Sequence, residues 1–309
     1  IPSVVCMPDG APIMKVESTK RLGARVELVR GTYDDAHDRA VELQQQTGMT
    51  FIHPYDDELV MAGQGTIGLE ILDQLPDVQA VVVPIGGGGL IAGVALAIKS
   101  LRPEVKVYGV QAAGAASMYD AWKAGSYRTL DRVDTFADGI AVKTPGEQTF
   151  ELIRRYVDDI VTVSEDEIAA AILALMENQK LVAEGAGATP VAAALFGKLP
   201  LAGQKTVCLI SGGNIDVNIL SRVINRGLVM GGRKCNLTIA LEDKPGQLTR
   251  VSEIISGCGA NVVSVQYDQG DTNMAITSCF LKLGLETRDA DQIAEIKQKL
   301  EADGFQLVV

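Results

Sequence analysis

A chain of 309 residues is long enough for one large domain and a smaller second one. Its composition, 47% hydrophobic and 22% charged, excludes a disordered, low-complexity protein. A formal net charge of −11 argues against nucleic acid or an anionic membrane as the main partner. No uninterrupted run of about 18 apolar residues occurs, so no membrane-spanning helix is predicted.

Short apolar, β-branched runs alternate with helical patterns from residue 1 to about residue 225. The runs predict strands at Ser3–Met7, Arg25–Val29, Thr50–His53, Ala80–Val83, Lys106–Gln111, Asp159–Val163 and Thr206–Ile210. Helices are predicted at Asp34–Gln46, Leu90–Leu101 and Glu165–Gln179. This alternation is typical of an α/β fold whose parallel sheet is covered by helices on both sides.

The pattern changes at residues 226–234, RGLVMGGRK, whose glycines and basic residues predict a linker between domains 1–225 and 235–309. After it the order is strand, helix, strand, strand, helix, strand, with NMAITSCFLKLG as the third strand and FQLVV as the last. This βαββαβ order predicts a small ferredoxin-like domain.

Four consecutive glycines separate a buried predicted strand from a helix that begins at Leu90. Glycine leaves the backbone N–H groups accessible, and the N-terminus of a helix favours an anion. The loop therefore predicts a phosphate site at the carboxyl end of a sheet strand, the alternative being a tight turn that the fold requires. The loop lacks the Gly-Lys-Ser/Thr of a P-loop and the spaced glycines of a dinucleotide fold.

A second glycine turn, Ser211-Gly212-Gly213-Asn214, follows another predicted strand. It would present a hydroxyl at the same sheet edge as the glycine loop. Taken alone, the turn is equally a plain connection with Asn214 as a helix N-cap.

Five segments in one order carry a family resemblance: AGQGTIGLEIL (62–72), GGGGLIAG (86–93), TFADGIAVKTPG (135–146), VAEGAGA (182–188) and SGGNID (211–216). They resemble the pyridoxal 5'-phosphate (PLP)-dependent threonine/serine dehydratases, which have the tryptophan-synthase-β-like fold, PLP fold type II. Residues 235–309, with EDKPGQLTRVSEII and GANVVSV, resemble an ACT domain, a regulatory module that typically binds amino acids.

The resemblance implies which residues hold the cofactor. Its phosphate would be bound by the backbone N–H groups of Gly86, Gly87, Gly88, Gly89 and Leu90. Ser211 would hydrogen-bond the pyridine nitrogen, Gly139 would lie beside the cofactor, and Tyr55 would approach its ring. Glu184 would either orient groups of the site or simply stabilise a helix N-terminus.

The family's Schiff-base lysine lies in a Ser-Phe-Lys-x-Arg-Gly-like motif, and its substrate-carboxylate loop is a Ser-x-Gly-Asn-His-like motif. Neither motif occurs in this sequence, and Lys15, Lys20, Lys99 and Lys143 have different surroundings. We therefore expect the sequence to be an N-terminally truncated part of a longer enzyme and, by itself, to be inactive or nearly so.

Two further sites are expected from the resemblance. Gln111 stands where a glutamate would be a good ligand, which disfavours a divalent ion and leaves a monovalent cation held by carbonyls around Ala115 and Val142. In the ACT-like part, Gly246, Gln247 and Asn261 would bind the carboxylate of an amino-acid effector. The alternative is a dimerisation module without a ligand.

These observations predict an L-threonine/L-serine ammonia-lyase that an ACT domain regulates, with a small amino acid as substrate and PLP as cofactor. The alternatives are a serine racemase and a non-catalytic amino-acid-sensing or structural subunit. A homo-oligomer, dimer or tetramer, is expected. The five scattered cysteines fit neither a disulfide framework nor a zinc knuckle, so a reducing cytoplasm is expected.

Overall fold

The structure, a computed structural model, describes residues 1–11, 13–31, 33–268 and 278–308. The chain divides into two units. The first comprises Ile1–Ser164 and Ala183–Asp216, and the second comprises Glu165–Val182 and Val217–Val309. The predicted boundaries at 225 and 235 stay a prediction, although residues 226–230 of the predicted linker are helical.

A four-stranded parallel sheet forms the centre of the first unit. Its strands, in spatial order, are β5 (Asp159–Val163), β4 (Lys106–Ala112), β3 (Ala80–Pro84) and β6 (Thr206–Cys208). All five residues of β3 are buried, as expected for a strand that has neighbours on both edges and helices packed around it. The predicted parallel α/β fold is confirmed.

A second, two-stranded parallel sheet pairs β1 (Val4–Pro8) with β2 (Arg25–Val29). The helices of the first unit are α1 (Ile13–Arg21), α2 (Tyr33–Thr47), α3 (Glu58–Gln74), α4 (Gly89–Leu101), α5 (Ser117–Ala124), α6 (Glu147–Tyr156) and α8 (Gly185–Leu195).

Helices α3 and α4 pack with their backbones in contact, and glycine makes this possible. A Cβ on Gly68 would lie 3.0 Å from the carbonyl oxygen of Val94, and one on Gly65 would lie 3.2 Å from that of Gly93. A Cβ on Gly93 would collide with the carbonyl oxygen of Met61. Any side chain at these positions would push the helices apart.

Two predicted strands differ from the structure. Residues 50–53 form no strand, because the chain turns at Pro54 and the His53 side chain bonds the following backbone instead. Strand β6 ends at Cys208 rather than at residue 210. The chain then continues to the turn Ser211-Gly212-Gly213-Asn214, which is called the serine turn below.

The second unit contains two helices from the middle of the chain, α7 (Glu165–Ala174) and α9 (Val217–Met230), and a π-helical turn at Leu175–Gln179. Its other elements are β7 (Lys234–Glu242), α10 (Gln247–Gly257), β8 (Asn261–Asp268), β9 (Ser278–Glu286), α11 (Ala290–Ala302) and β10 (Gln306–Val308). This is the predicted βαββαβ order. Residues 273–277 of the predicted third strand, and Val309, lie outside the described residues.

The four strands form one antiparallel sheet in the order β10-β7-β9-β8. The core between sheet and helices is apolar, with Ile239, Leu281 and Ile296 fully buried. In the part of the chain that the structure describes, no helix is long and apolar enough to span a membrane.

Candidate functional site

The glycine loop joins the end of β3 to the start of α4. Gly88 is the N-cap of α4, with φ of 101°, a left-handed conformation that favours glycine, and no side chain caps the helix. A Cβ on Gly87 would lie 2.5 Å from the ring of Tyr55. The first N–H groups of a helix have no intrahelical acceptor, so this uncapped N-terminus has the chemistry of an anion site.

Hydrogen bonds fix the direction of the loop. The Gly87 carbonyl accepts from Thr149 Oγ1 at 2.7 Å and from the Gly146 N–H at 3.2 Å. Thr149 is fully buried. Because α6 and the residue before it hold the Gly87 carbonyl, the peptide group between Gly87 and Gly88 keeps one orientation.

The serine turn follows β6, which pairs in parallel with β3 through Val82 and Cys208. Both glycine-rich segments therefore leave the same carboxyl edge of the sheet, as the sequence predicts. Ser211 is exposed, so its hydroxyl is accessible there.

The turn is held by the start of α8. The Glu184 N–H donates to the Gly212 carbonyl at 3.1 Å, and the Asn214 N–H donates to Glu184 Oε2 at 3.2 Å. A Cβ on Gly212 would lie 2.6 Å from Glu184 Oε1, and one on Gly187 would lie 2.8 Å from the Gly212 carbonyl oxygen. Glycine at these positions lets the turn lie against the carboxylate.

Gly139 lies between the two glycine-rich segments, in a short 3-10 turn at Asp138–Ile140. A Cβ on Gly139 would lie 3.1 Å from Glu184 Oε1, and a Cβ on Gly86 would lie 3.1 Å from Ile140 Cα. The structure thus brings together the predicted glycine loop, Gly139 and, through Glu184, the serine turn.

The charge state of Glu184 is set by its surroundings. The pKa of this carboxyl is raised above its ordinary value, mainly because the group is half-buried and, to a lesser extent, because Asp138 lies nearby. The hydrogen bond from the Asn214 N–H and the charge of Lys15 lower the pKa but do not reverse the direction. Lys15 forms an ion pair with Asp138, with 2.5 Å between Nζ and Oδ2. A cation–carboxylate pair therefore borders the site.

Sequence reasoning missed the turn of residues 53–57, HPYDD, which carries Tyr55. The Tyr55 hydroxyl donates to the Thr144 carbonyl at 3.2 Å. Asp56 accepts from the backbone N–H groups of Glu147 at 3.1 Å and Thr149 at 3.0 Å, which caps the start of α6. Aspartate before a helical pattern is the usual N-cap signal, but Asp56 caps a helix 91 residues away, which no local pattern reveals.

The expected cation ligands are placed as follows. Ala115 is buried, and the Val142 carbonyl accepts from Ser117 Oγ at 2.8 Å. Gln111 is fully buried; its Oε1 accepts from the Tyr119 N–H at 2.7 Å, so it presents an amide nitrogen, a donor with no acceptor among the described residues. The Gln111 oxygen is thus already held by a backbone N–H, and the cation site at Ala115 and Val142 stays a prediction.

No cluster of three or more His, Cys, Asp or Glu side chains suited to a metal ion occurs among the described residues.

The expected effector residues are not brought together within one chain. Gly246 is the N-cap of α10, with φ of 91°, and Gln247 begins the helix. Asn261 follows the opposite end of that helix, and an 11-residue helix is about 16 Å long. The Asn261 amide instead donates to Glu286 Oε2 at 3.0 Å.

An uncapped helix start and an exposed hydroxyl turn lie at one edge of a parallel α/β sheet, an arrangement typical of enzymes that bind a phosphate-bearing cofactor. A family model described as pyridoxal-phosphate dependent enzyme matches residues 1–213. The chain belongs to this family; it has PLP fold type II, it is an enzyme, and its cofactor is PLP.

Named relatives of the chain include L-threonine ammonia-lyases and, among solved structures, a threonine deaminase and a serine racemase. The L-threonine ammonia-lyase of Thermotoga maritima is 48% identical over 307 residues, covering 99% of this chain and 76% of that protein. That of Geobacter sulfurreducens is 46% identical, with the same coverage. Among solved structures, processed threonine deaminase isoform 2 from Solanum lycopersicum has a TM-score of 0.68 and 40% identity, covering 73% of this chain and 66% of that one. Maize serine racemase has a TM-score of 0.68 and 32% identity, covering 74% and 71%.

Proposed function

We propose that the protein is an ammonia-lyase that converts L-threonine to 2-oxobutanoate and ammonia, and L-serine to pyruvate and ammonia. The observation that carries this proposal is the extent of the similarity to L-threonine ammonia-lyases, 48% over 307 residues. It includes the second unit, most of which lies beyond the residues 1–213 that the family model matches. Similarity over both units favours a shared activity more than a shared scaffold does.

The residues present fit the cofactor, since the cradle at Gly86–Leu90 has no free room for a Cβ at any of its four glycines and opens on an uncapped helix start. The N–H groups at this start and the α4 dipole would bind the phosphate dianion. Bound PLP supplies an electron sink that allows the amino acid to lose its Cα proton and then its β-hydroxyl.

The remaining site residues orient the cofactor ring. The Ser211 hydroxyl would hydrogen-bond the ring nitrogen without adding a charge, so the ring nitrogen is not forced to carry a proton as it would be beside an aspartate. Glu184 holds the serine turn through the Asn214 N–H. The Tyr55 ring lies against Gly87 and would cover that side of the glycine loop.

The test is the release of 2-oxoacid from L-threonine and L-serine by protein purified from its native source with PLP added. We expect 2-oxobutanoate from threonine and pyruvate from serine. Cofactor-loaded protein that releases neither would overturn the proposal. Amino-acid binding without turnover would indicate the sensing subunit instead.

A serine racemase is the second candidate, because maize serine racemase has the same TM-score as the tomato deaminase. Its identity of 32% is below the 40% of the deaminase. Chiral chromatography of the reaction with L-serine distinguishes the two, since a racemase produces D-serine and a lyase consumes L-serine as pyruvate appears.

We further propose that the second unit is an ACT domain whose α10 N-terminus binds the carboxylate of an amino-acid effector. Gly246 has open space around its Cβ position, so Gly246→Ala and Gly246→Asp both place a side chain at positive φ without a steric contact, and only the second adds a charge. We expect a panel of amino acids to change the threonine kinetics of wild type and Gly246→Ala but not of Gly246→Asp. An equal response in all three would contradict the effector site.

A homo-oligomer is proposed from the edge of the antiparallel sheet. Strand β8 lies at this edge and exposes Val263, Val265 and Tyr267 by 46%, 51% and 42%. Light scattering should give a multiple of the chain mass for wild type and a smaller particle for Val265→Lys; equal masses would contradict this interface.

A cytoplasmic location is proposed because the five scattered cysteines fit no disulfide framework.

A monovalent cation at the carbonyls of Ala115 and Val142 is also proposed. Assays in potassium, sodium and a bulky organic cation test the cation, since only the first two ions could fit between carbonyls. Equal rates in all three salts would contradict the cation site.

A further inference from the structure

The turn at residues 53–57 depends on the protonation state of one side chain. His53 Nδ1 accepts hydrogen bonds from the backbone N–H groups of Tyr55 at 3.2 Å and Asp56 at 2.8 Å. A ring nitrogen that accepts carries no proton, so this imidazole is neutral with its proton on Nε2. A protonated Nδ1 would face two donors, and both hydrogen bonds would be lost.

Hydrogen bonds connect this turn to the glycine loop. Asp56 accepts from the Thr149 N–H at 3.0 Å, and Thr149 Oγ1 donates to the Gly87 carbonyl at 2.7 Å. Tyr55 makes the second connection, because its ring lies against Gly87 and its backbone lies 2.8 Å from the position of a Cβ on Gly89. Tyr55 and Asp56, the two residues whose N–H groups bond His53 Nδ1, are therefore also the two that connect the turn to the glycine loop.

The surroundings of His53 favour its neutral form. Burial lowers the pKa of His53 from its ordinary 6.5, Asp56 and Asp57 raise it, and His37 lowers it. Among the described residues these are the groups whose charges act on the pKa of His53, the Tyr55 phenol is the adjoining titratable ring, and the net direction is downward. The packed rings are those of Tyr55 at 4.7 Å, His37 at 5.6 Å and Phe51 at 6.0 Å.

We propose that neutral His53 is a positioning residue for the cofactor cradle: its Nδ1 orders the 53–57 turn, Asp56 and Tyr55 then hold Gly87, and protonation of Nδ1 releases the turn and weakens PLP binding. The proposal rests on the assignment of the glycine loop to the PLP phosphate. Because the ordered turn has the lower imidazole pKa, its stabilisation is complete above pH 6.5. Below that value the equilibrium constant for ordering the turn falls by up to about tenfold per pH unit, until the pKa of the ordered turn is reached.

The first experiment uses the full chain without cofactor. Hydrogen exchange reports protection factors, corrected for intrinsic rates, at the amides of Tyr55 and Asp56 between pH 7.5 and 5.5. We expect wild type to lose protection on acidification. His53→Asn should keep it, because the Asn amide oxygen can accept from the same two N–H groups and does not titrate. His53→Ala should be unprotected at both pH values.

His37→Asn is the matched control, since the chain has only 2 histidines. It should still lose protection on acidification as wild type does, with the midpoint moved to slightly higher pH because His37 lowers the pKa of His53. A His53→Asn variant that loses protection at pH 5.5 as wild type does would overturn the proposal, and so would full protection in His53→Ala.

The second experiment measures PLP affinity by quenching of the single tryptophan, Trp122. Wild type should bind PLP more weakly at pH 5.5 than His53→Asn does, by at most about tenfold because pH 5.5 is one unit below the ordinary imidazole pKa of 6.5, with equal affinities at pH 7.5. Equal pH profiles would overturn the link from the turn to the cradle. Failure of the cradle assignment itself would be distinct, because the amides would then respond as expected while Gly88→Asp bound PLP as well as wild type.

Discussion

The hydroxyl of Thr149 is the internal support of the glycine loop, and its removal gives the sharpest test of the cradle. In Thr149→Val the Gly87 carbonyl loses the 2.7 Å hydrogen bond from Oγ1 but keeps the Gly146 N–H at 3.2 Å. The site is fully buried, so no water replaces the hydroxyl. A net hydrogen bond contributes about 0.5–1.5 kcal/mol and a partly unsatisfied buried carbonyl adds to the loss, which gives about 1–2 kcal/mol.

If that loss is expressed in the loop, PLP affinity falls roughly 5- to 30-fold, since about 1.4 kcal/mol corresponds to a factor of ten. Trp122 quenching measures the affinity, and urea unfolding measures the stability. Thr189→Val is the control, because Thr189 is equally buried and its hydroxyl donates to the Ala186 carbonyl, at 2.9 Å, within its own helix. It should lose a similar free energy of unfolding and keep wild-type affinity. Wild-type affinity in Thr149→Val, at comparable loss of stability, would refute the role of Thr149.

Three other predictions concern the first unit. Gly212→Ala places a Cβ 2.6 Å from Glu184 Oε1, so the carboxylate must move, its hydrogen bond from the Asn214 N–H should weaken, and PLP affinity should fall by roughly 2- to 10-fold; near-wild-type binding would mean that the turn does not contact the cofactor. Burial raises the pKa of the Cys208 thiol to about 11, so alkylation at pH 8 should be slow in the native protein and rapid in denaturant, as mass spectrometry of the labelled peptide would report. Burial alone would raise the pKa of Asp158, but hydrogen bonds from Lys106, Lys99 and a backbone N–H lower it overall, so its stabilisation is present at neutral pH and is lost as pH falls through the lowered pKa. Asp158→Asn should therefore unfold at a lower urea concentration than wild type at pH 7, and its stability should fall less on acidification. A stability that falls with pH as in wild type would refute this role of Asp158.

The central sheet and the glycine loop were accessible from sequence because their signals are local. Strand β3 is a continuous apolar run, and four glycines before a helix mark the loop without any tertiary information. The βαββαβ order of the second unit was predictable for the same reason, since each of its helices and strands has its own period.

The supports of the loop were not accessible, because they join distant segments. Thr149 bonds Gly87 across 62 positions, and Asp56 bonds Glu147 across 91. His53 was placed in a predicted strand, yet its ring bonds the backbone of the following turn, which competes with strand pairing. Local side-chain-to-backbone bonds of this kind leave no periodic signal.

Helix α3 shows how tertiary packing overrides propensity. Its glycines at positions 63, 65 and 68 disfavour a helix, and the sequence was interpreted there only as a family motif. The helix forms because Gly65 and Gly68 admit the backbone of α4. The cost of glycine in a helix is offset by a contact that only glycine permits.

That contact has a consequence for the geometry of the whole site. Helix α3 begins at Glu58, directly after the HPYDD turn, and α4 begins at Gly89, directly after the glycine loop. With the two backbones touching, the spacing between the helices is set by bond lengths and atomic radii rather than by side-chain rotamers. Changes of side-chain rotamer therefore have little leverage on the distance between the first turns of the two helices, which follow the HPYDD turn and the glycine loop.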